Sequence, residues 1–180
     1  FMKDQYPEIY AKIKEAVKSG NWEVQGGMWV EADCNLISGE SMVRQLLHGK
    51  NFFKDEFDIV VDNLWLPDVF GYSAARPQIL KRAGVNYFLT QKLSWSQFND
   101  FPHQTFNWRG IDGTEILTHF PPENTYNSEL DTEFLLPAQK GFKEKDRLNE
   151  FISLFGVGDG GGGPKPENIE LGRRMSNLEN

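Results

Sequence analysis

The chain is poor in the residues that build redox and metal centres. Its 180 residues include one cysteine and three histidines. Cys34 alone cannot close an internal disulfide, and a free thiol fits a reducing compartment. No stretch approaches the ~18–20 consecutive apolar residues that a membrane-spanning helix needs. No basic leader with a short apolar run opens the chain, so no signal peptide is expected. Together these point to a cytoplasmic location. Basic residues are in the minority, 19 Lys and Arg against 26 Asp and Glu for a net charge of −7. They form no stripe, which argues against nucleic-acid binding, since that depends on clustered cations facing phosphate. Aromatics are plentiful, with 14 Phe, 5 Trp and 5 Tyr, and they argue against disorder. The length fits one domain or a piece of a larger one, able to bury roughly 70% of the surface of its unfolded form.

Apolar residues at helical spacing (Tyr6, Ile9, Ile13, Val17) predict a helix between Asp4 and Gly20. Residues 22–25 and 28–30 read as one strand bulged at Gly26-Gly27. Ser38 is placed to cap a helix running to Phe52-Phe53, and 57–61 reads as a strand continuing to Leu64-Trp65. Ser73 caps a third helix ending near Gly84, with Pro77 tolerated in its first turn. Tyr87–Thr90 is strand-like, and Thr105–Arg109 forms a hairpin with 114–120 across Ile111-Asp112-Gly113. Residues 121–145 are a polar excursion, partly helical. A strand over 151–157, a glycine loop and a helix from Pro164 to Leu178 complete the chain.

Alternating strands and helices imply an α/β fold: a parallel sheet or barrel with helices outside. Chemistry in such folds gathers beyond the carboxyl ends of the strands. The expected strand ends deliver Asp33, Asp68, Lys92, Glu123 with Tyr126, and Asp159 to one face.

Asp68 lies in Trp65-Leu66-Pro67-Asp68-Val69-Phe70-Gly71-Tyr72-Ser73, between a stiffening proline and a glycine that permits a turn. A carboxylate held there is a nucleophile, a metal ligand, or merely an Asx-turn that starts the next helix. Asp159, among glycines, is either a solvated loop residue or an acid that keeps its proton beneath a substrate. Two carboxylates from different strand ends are what glycosidic cleavage requires. Trp29, Trp65, Phe70, Trp95 and Tyr126 could stack on a sugar or simply fill the core.

Four segments carry a family resemblance: residues 27–35 (Gly-Met-Trp-Val-Glu-Ala-Asp-Cys-Asn), 65–73, 118–122 (Thr-His-Phe-Pro-Pro) and 158–164 (Gly-Asp-Gly-Gly-Gly-Gly-Pro). Together they resemble glycoside hydrolase family 38, the α-mannosidases, most of all its bacterial and fungal cytosolic branch. The resemblance runs in order over essentially the whole chain. It implies a partial, distorted (β/α) barrel of about seven strands lacking the first, with residues 1–180 an internal segment of the catalytic domain. It also implies a retaining exo-α-mannosidase acting on α-mannosides or oligosaccharides through a covalent glycosyl-enzyme intermediate, with Zn²⁺ at its centre. Asp68 corresponds to the nucleophile and a zinc ligand, and Asp159 falls where the acid/base stands. Tyr126, Phe70 and Lys92 fall near positions that line the sugar or support the nucleophile.

The departures are in the metal site. The family's His-x-Asp motif and its downstream histidine are absent, since none of His48, His103 and His119 lies in such a motif; His103 and His119 could still be ligands in principle, with a hydrogen-bonded structural role expected of His119. Zinc takes about four ligands, so most would lie outside these residues, with Asp33 a conceivable helper, and the isolated chain is expected to bind zinc weakly and turn over little. Three other readings compete: a carbohydrate deacetylase, a dinucleotide-binding module, and a non-catalytic segment that serves only to bind glycans or complete the barrel. A metal-dependent carbohydrate deacetylase would need paired histidines at helical spacing, which are missing. Gly158, Gly160 and Gly163 spell a dinucleotide-binding pattern, with Glu179 at a distance suited to a ribose. There, however, Pro164 occupies the place where helix N–H groups should meet a pyrophosphate.

Overall fold

The computed structural model describes residues 1–159 and 161–177. Gly160 of the glycine pattern, the expected helix end at Leu178, and Glu179 lie outside the described residues. A short helix α1 (Met2–Gln5) leads into α2 (Pro7–Lys18), which starts on Pro7 at its first turn, where a missing N–H costs nothing. Ser38 caps α3 (Gly39–Phe57) by accepting the Ser41 N–H. The helix outruns its expected end and stops at Asp58 in a left-handed conformation, φ 58°.

Four strands follow: β1 (Asn63–Leu66), β2 (Tyr87–Thr90), β3 (Thr105–Arg109) and β4 (Glu115–His119). They form one mixed sheet in the order β1-β2-β4-β3. β1, β2 and β4 run parallel, and β3 pairs antiparallel with β4 as the outer arm of the hairpin. The connection from β1 to β2 carries α4 (Arg76–Arg82), with Pro77 in its first turn. Helices α5 (Thr132–Gly141, capped by Asp131) and α6 (Pro166–Met175) lie beyond the sheet.

Two expected strands are not formed, and a third starts late: residues 57–61 carry no strand, and only its continuation, β1, pairs. Residues 22–30 are irregular, although the Gly26 carbonyl accepts the Trp65 N–H at 3.4 Å and the Gly26 N–H donates to Asn63 Oδ1 at 3.1 Å. Residues 151–157 make a single parallel bridge, Ser128 to Phe155. The sheet thus has four strands among the described residues, against the seven expected of a barrel.

Strand alternation sends Leu64, Leu66, Phe88 and Ile116 into one core with Met42 and Leu46 of α3 and Leu80 of α4. The opposite face presents Trp65, Tyr87, Leu117 and His119 to a hollow of about 740 Å³. No helix among the described residues is long and apolar enough to cross a membrane.

Candidate active site

The carboxyl ends of the three parallel strands lie side by side, and the Tyr72 hydroxyl ties two of them together. It donates to Leu66 O at 3.1 Å and lies 2.6 Å from Thr90 Oγ1. Asp68 follows β1 by two residues and Lys92 follows β2 by two. In adjacent parallel strands in register, equal offsets bring the two side chains together. Lys92 Nζ lies 3.1 Å from Asp68 Oδ1. The Asp68 backbone N–H donates to Glu31 Oε1 at 2.8 Å, which fixes the backbone from the opposite direction. Among the described residues Asp68 closes no Asx-turn; its carboxylate contact is the lysine.

Lys92 opens a 3₁₀ turn, Lys92–Trp95. In that geometry residues three apart eclipse one another, so Trp95 comes to lie over the ammonium, 3.4 Å from Nζ to ring centroid. Tyr126 at 4.7 Å and Phe70 at 5.3 Å close the other sides. The rings' electron-rich faces offset part of the loss of water around the cation. Phe70 and Trp95 meet edge to face at 6.3 Å.

The loop after β4 is anchored on this turn through Asn124. Its Oδ1 accepts from Gln91 Nε2 at 3.1 Å and from the Ser94 hydroxyl, and its carbonyl accepts from Trp95 Nε1 at 3.1 Å. Asn124 has φ 57°, a conformation asparagine tolerates better than most residues. The anchored loop delivers Tyr126. Burial raises its phenol pKa, and the Asp68 and Asp159 carboxylates push it further in the same direction, so the O–H is retained. Asp159 is exposed, with φ 55°. It follows Gly158, which passes so close to the tyrosine that an added Cβ would fall 2.6 Å from Tyr126 Cε2 and 2.7 Å from Asn127 Nδ2. Only glycine permits that approach.

Asp68, Lys92, Phe70 and Tyr126 therefore share one site; Gly158 packs on Tyr126 and places Asp159, itself exposed and without a hydrogen bond among the described residues, next to it in the chain. Asp33 does not join them, because its Oδ1 accepts the N–H groups of Asn35 and Leu36 at 2.9 and 2.7 Å in a local turn. Cys34 is buried, donates to Ala32 O, and has a thiol pKa raised by burial. His48 is exposed on α3, and His103 pairs with Glu144 at 3.1 Å. His119 is held structurally: Nδ1 lies 2.9 Å from Thr105 Oγ1, and Nε2 accepts the Ile152 N–H at 3.3 Å. Sequence reasoning did not find Glu31 or Asn124, whose partners are remote in sequence and leave no local pattern.

Among the described residues no three of His, Cys, Asp or Glu gather as a metal cage. Asp68 offers one carboxylate, already shared with Lys92, against the four donors zinc prefers. The described residues alone do not fit the metal.

The model for "Glycosyl hydrolases family 38 N-terminal domain" matches residues 1–180. Alpha-mannosidase G of Dictyostelium discoideum is 51% identical over 168 residues, covering 93% of this chain and 16% of that protein. Human alpha-mannosidase 2C1 is 47% identical over 179 residues, covering 99% of this chain and 17% of that protein. The chain thus spans about a sixth of the length of these curated relatives. The crystal structure of an alpha-mannosidase from Enterococcus faecalis superposes with a TM-score of 0.74 at 21% identity, covering 97% of this chain and 20% of that one. That likeness establishes the fold.

Proposed function

Because this chain belongs to glycosyl hydrolase family 38, we propose that it carries catalytic residues of a cytoplasmic, retaining exo-α-mannosidase, as a segment of a larger, barrel-like catalytic domain. The observation that carries this reading is the Asp68–Lys92 pair at the strand ends. One carboxylate oxygen is held 3.1 Å from a buried ammonium, and the carboxylate remains partly open to a substrate.

In the proposed reaction Asp68 attacks the anomeric carbon as the bond to the leaving oxygen breaks, and Asp159 gives that oxygen its proton. Asp159 then takes a proton from water as the water displaces Asp68 from the sugar, and two inversions restore the original configuration. Lys92 orients the Asp68 carboxylate through the ion pair, with Nζ 3.1 Å from Oδ1. Phe70 and Trp95 supply flat apolar surface for a sugar face, and Tyr126, which retains its proton, is a hydroxyl donor toward sugar or nucleophile.

Zinc, which the family resemblance implies, would supply Lewis acidity toward sugar hydroxyls. Asp68 would be one of its ligands, and the others would come from outside residues 1–180.

Substitution in the full-length enzyme tests the assignment. Asp68→Asn should abolish turnover of every mannoside. Asp159→Asn should abolish turnover of natural mannosides yet leave kcat/KM for an aryl mannoside with an acidic leaving group largely intact, because that constant reports only departure of the leaving group, whereas kcat falls with the slowed attack of water. Unchanged hydrolysis by the Asp68 variant overturns the reading.

A further inference from the structure

Residues 151–157 arrive at the site without a strand ladder to hold them, so something else sets the position of Asp159. The contacts that do so converge on Glu123. Its Oε1 accepts hydroxyl hydrogens from Ser128 and Ser153, both at 2.7 Å. Ser128 belongs to the Tyr126 loop and is buried, and its N–H donates to Leu154 O at 2.9 Å. Ser153 belongs to the segment that leads, six residues on, to Asp159. One carboxyl oxygen thus clamps the two segments together. Glu123 Oε2 is buried with no hydrogen-bond partner among the described residues, so no other contact competes for the side chain. The adjacent Asn124 reaches the opposite way, to the turn carrying Lys92 and Trp95. Two consecutive residues thereby connect the surroundings of Asp68 to the approach of Asp159.

We propose that Glu123 is a positioning residue for Asp159, holding residues 153–159 against the Tyr126 loop so that the acid meets the leaving oxygen. This rests on the assignment of Asp159 as acid/base made above. Glu123 acts through Asp159 and does not touch the sugar.

The test compares two substrates in the full-length enzyme, an unactivated mannobiose and an aryl mannoside whose phenol leaves without protonation. Glu123→Leu should lower kcat/KM, the constant that reports departure of the leaving group, on mannobiose by about 10–100-fold, the order that a displacement of ~1 Å costs a positioned catalytic group. The activated substrate should be nearly unaffected. Glu123→Gln, whose amide oxygen still accepts from both serines, should retain most activity on each. Ser153→Ala, which removes one arm and leaves the buried carboxylate in place, should give the same split in weaker form and guards against a Glu123 variant that fails to fold. Equal losses on both substrates, or no loss, in the Glu123→Leu and Ser153→Ala enzymes overturn the proposal. Asp159→Asn in the same assay separates the two claims. If it shows the leaving-group split and the Glu123 and Ser153 variants do not, only the clamp falls; if it shows none, the acid/base assignment falls and the clamp with it.

Discussion

Lys92 and Asp68 form an ion pair of unequal partners: the lysine side chain is 3% exposed and the aspartate side chain 40%, with 3.1 Å between Nζ and Oδ1. The cation is fixed in an aromatic enclosure, whereas the anion faces outward. The arrangement spends the cost of ordering on the group that orients and leaves the reactive group accessible.

Lys92→Met should therefore separate activity from stability. Asp68 can be solvated once its partner is gone, so unfolding free energy should fall by no more than about 1 kcal/mol, the range for a partly exposed pair. Loss of a fixed charge beside a reacting carboxylate should lower kcat/KM by on the order of 10²-fold. Urea denaturation and steady-state kinetics on the full-length enzyme read the two effects, and an equal change in both would refute the orienting role.

Gly49 sits in the middle of α3, where alanine would ordinarily stabilise a helix by up to ~1 kcal/mol. Here a Cβ would fall 2.4 Å from Gly27 O and 2.7 Å from Trp29 N, both backbone atoms that cannot swing aside. Gly49→Ala should instead destabilise by about 1–3 kcal/mol, as overpacking does, visible as a lowered urea midpoint. A raised midpoint would mean that helix and loop do not touch.

Acid should unfold the protein in two separate windows. Burial lowers the His119 pKa below its ordinary 6.5, so below pH 6.5 the unfolded chain takes up a proton that the fold resists. Stability is full above that value, declines as pH falls through it, and levels off below the folded-state pKa. Glu56 accepts from Lys3, Lys14 and Tyr10, and these hydrogen bonds hold it at about 2 against an ordinary 4.5. Its contribution is present above 4.5 and is lost between there and 2. Denaturation midpoints measured from pH 8 to pH 3 should show both declines, and His119→Gln should remove only the upper one.

Where local pattern and long-range packing agreed, the sequence could be read closely. Tyr87–Thr90 and Thr105–Arg109 occur as expected, and Ser38 caps its helix, because each depends on neighbours a few residues away. The expected strand at 57–61 starts late, as β1 at Asn63. Phe57 is the last residue of α3, packed on Phe52 and Phe53 at 6.3 and 6.4 Å between centroids, and Asp58 turns the chain in a left-handed conformation. Residues 22–30 differ: the backbone of 27–29 lies against Gly49 of α3, and toward β1 Gly26 makes only one backbone hydrogen bond, to Trp65, and one to the Asn63 side chain. At the site, Asp68 and Lys92 were legible as strand-end residues, and their meeting follows from parallel register. The Glu31 and Asn124 contacts were not legible, because a hydrogen bond spanning about thirty residues has no periodicity to betray it.

Among the described residues, the helices α3 and α4 pack on one face of the sheet. Across the other, Trp65, Tyr87 and Leu117 remain substantially uncovered, a contiguous oily surface of the kind soluble monomers seldom display. Residues 1–180 expressed by themselves should consequently be adhesive, giving enhanced fluorescence with an apolar dye and clumping as concentration rises, even while the ion pair on the far rim keeps its shape.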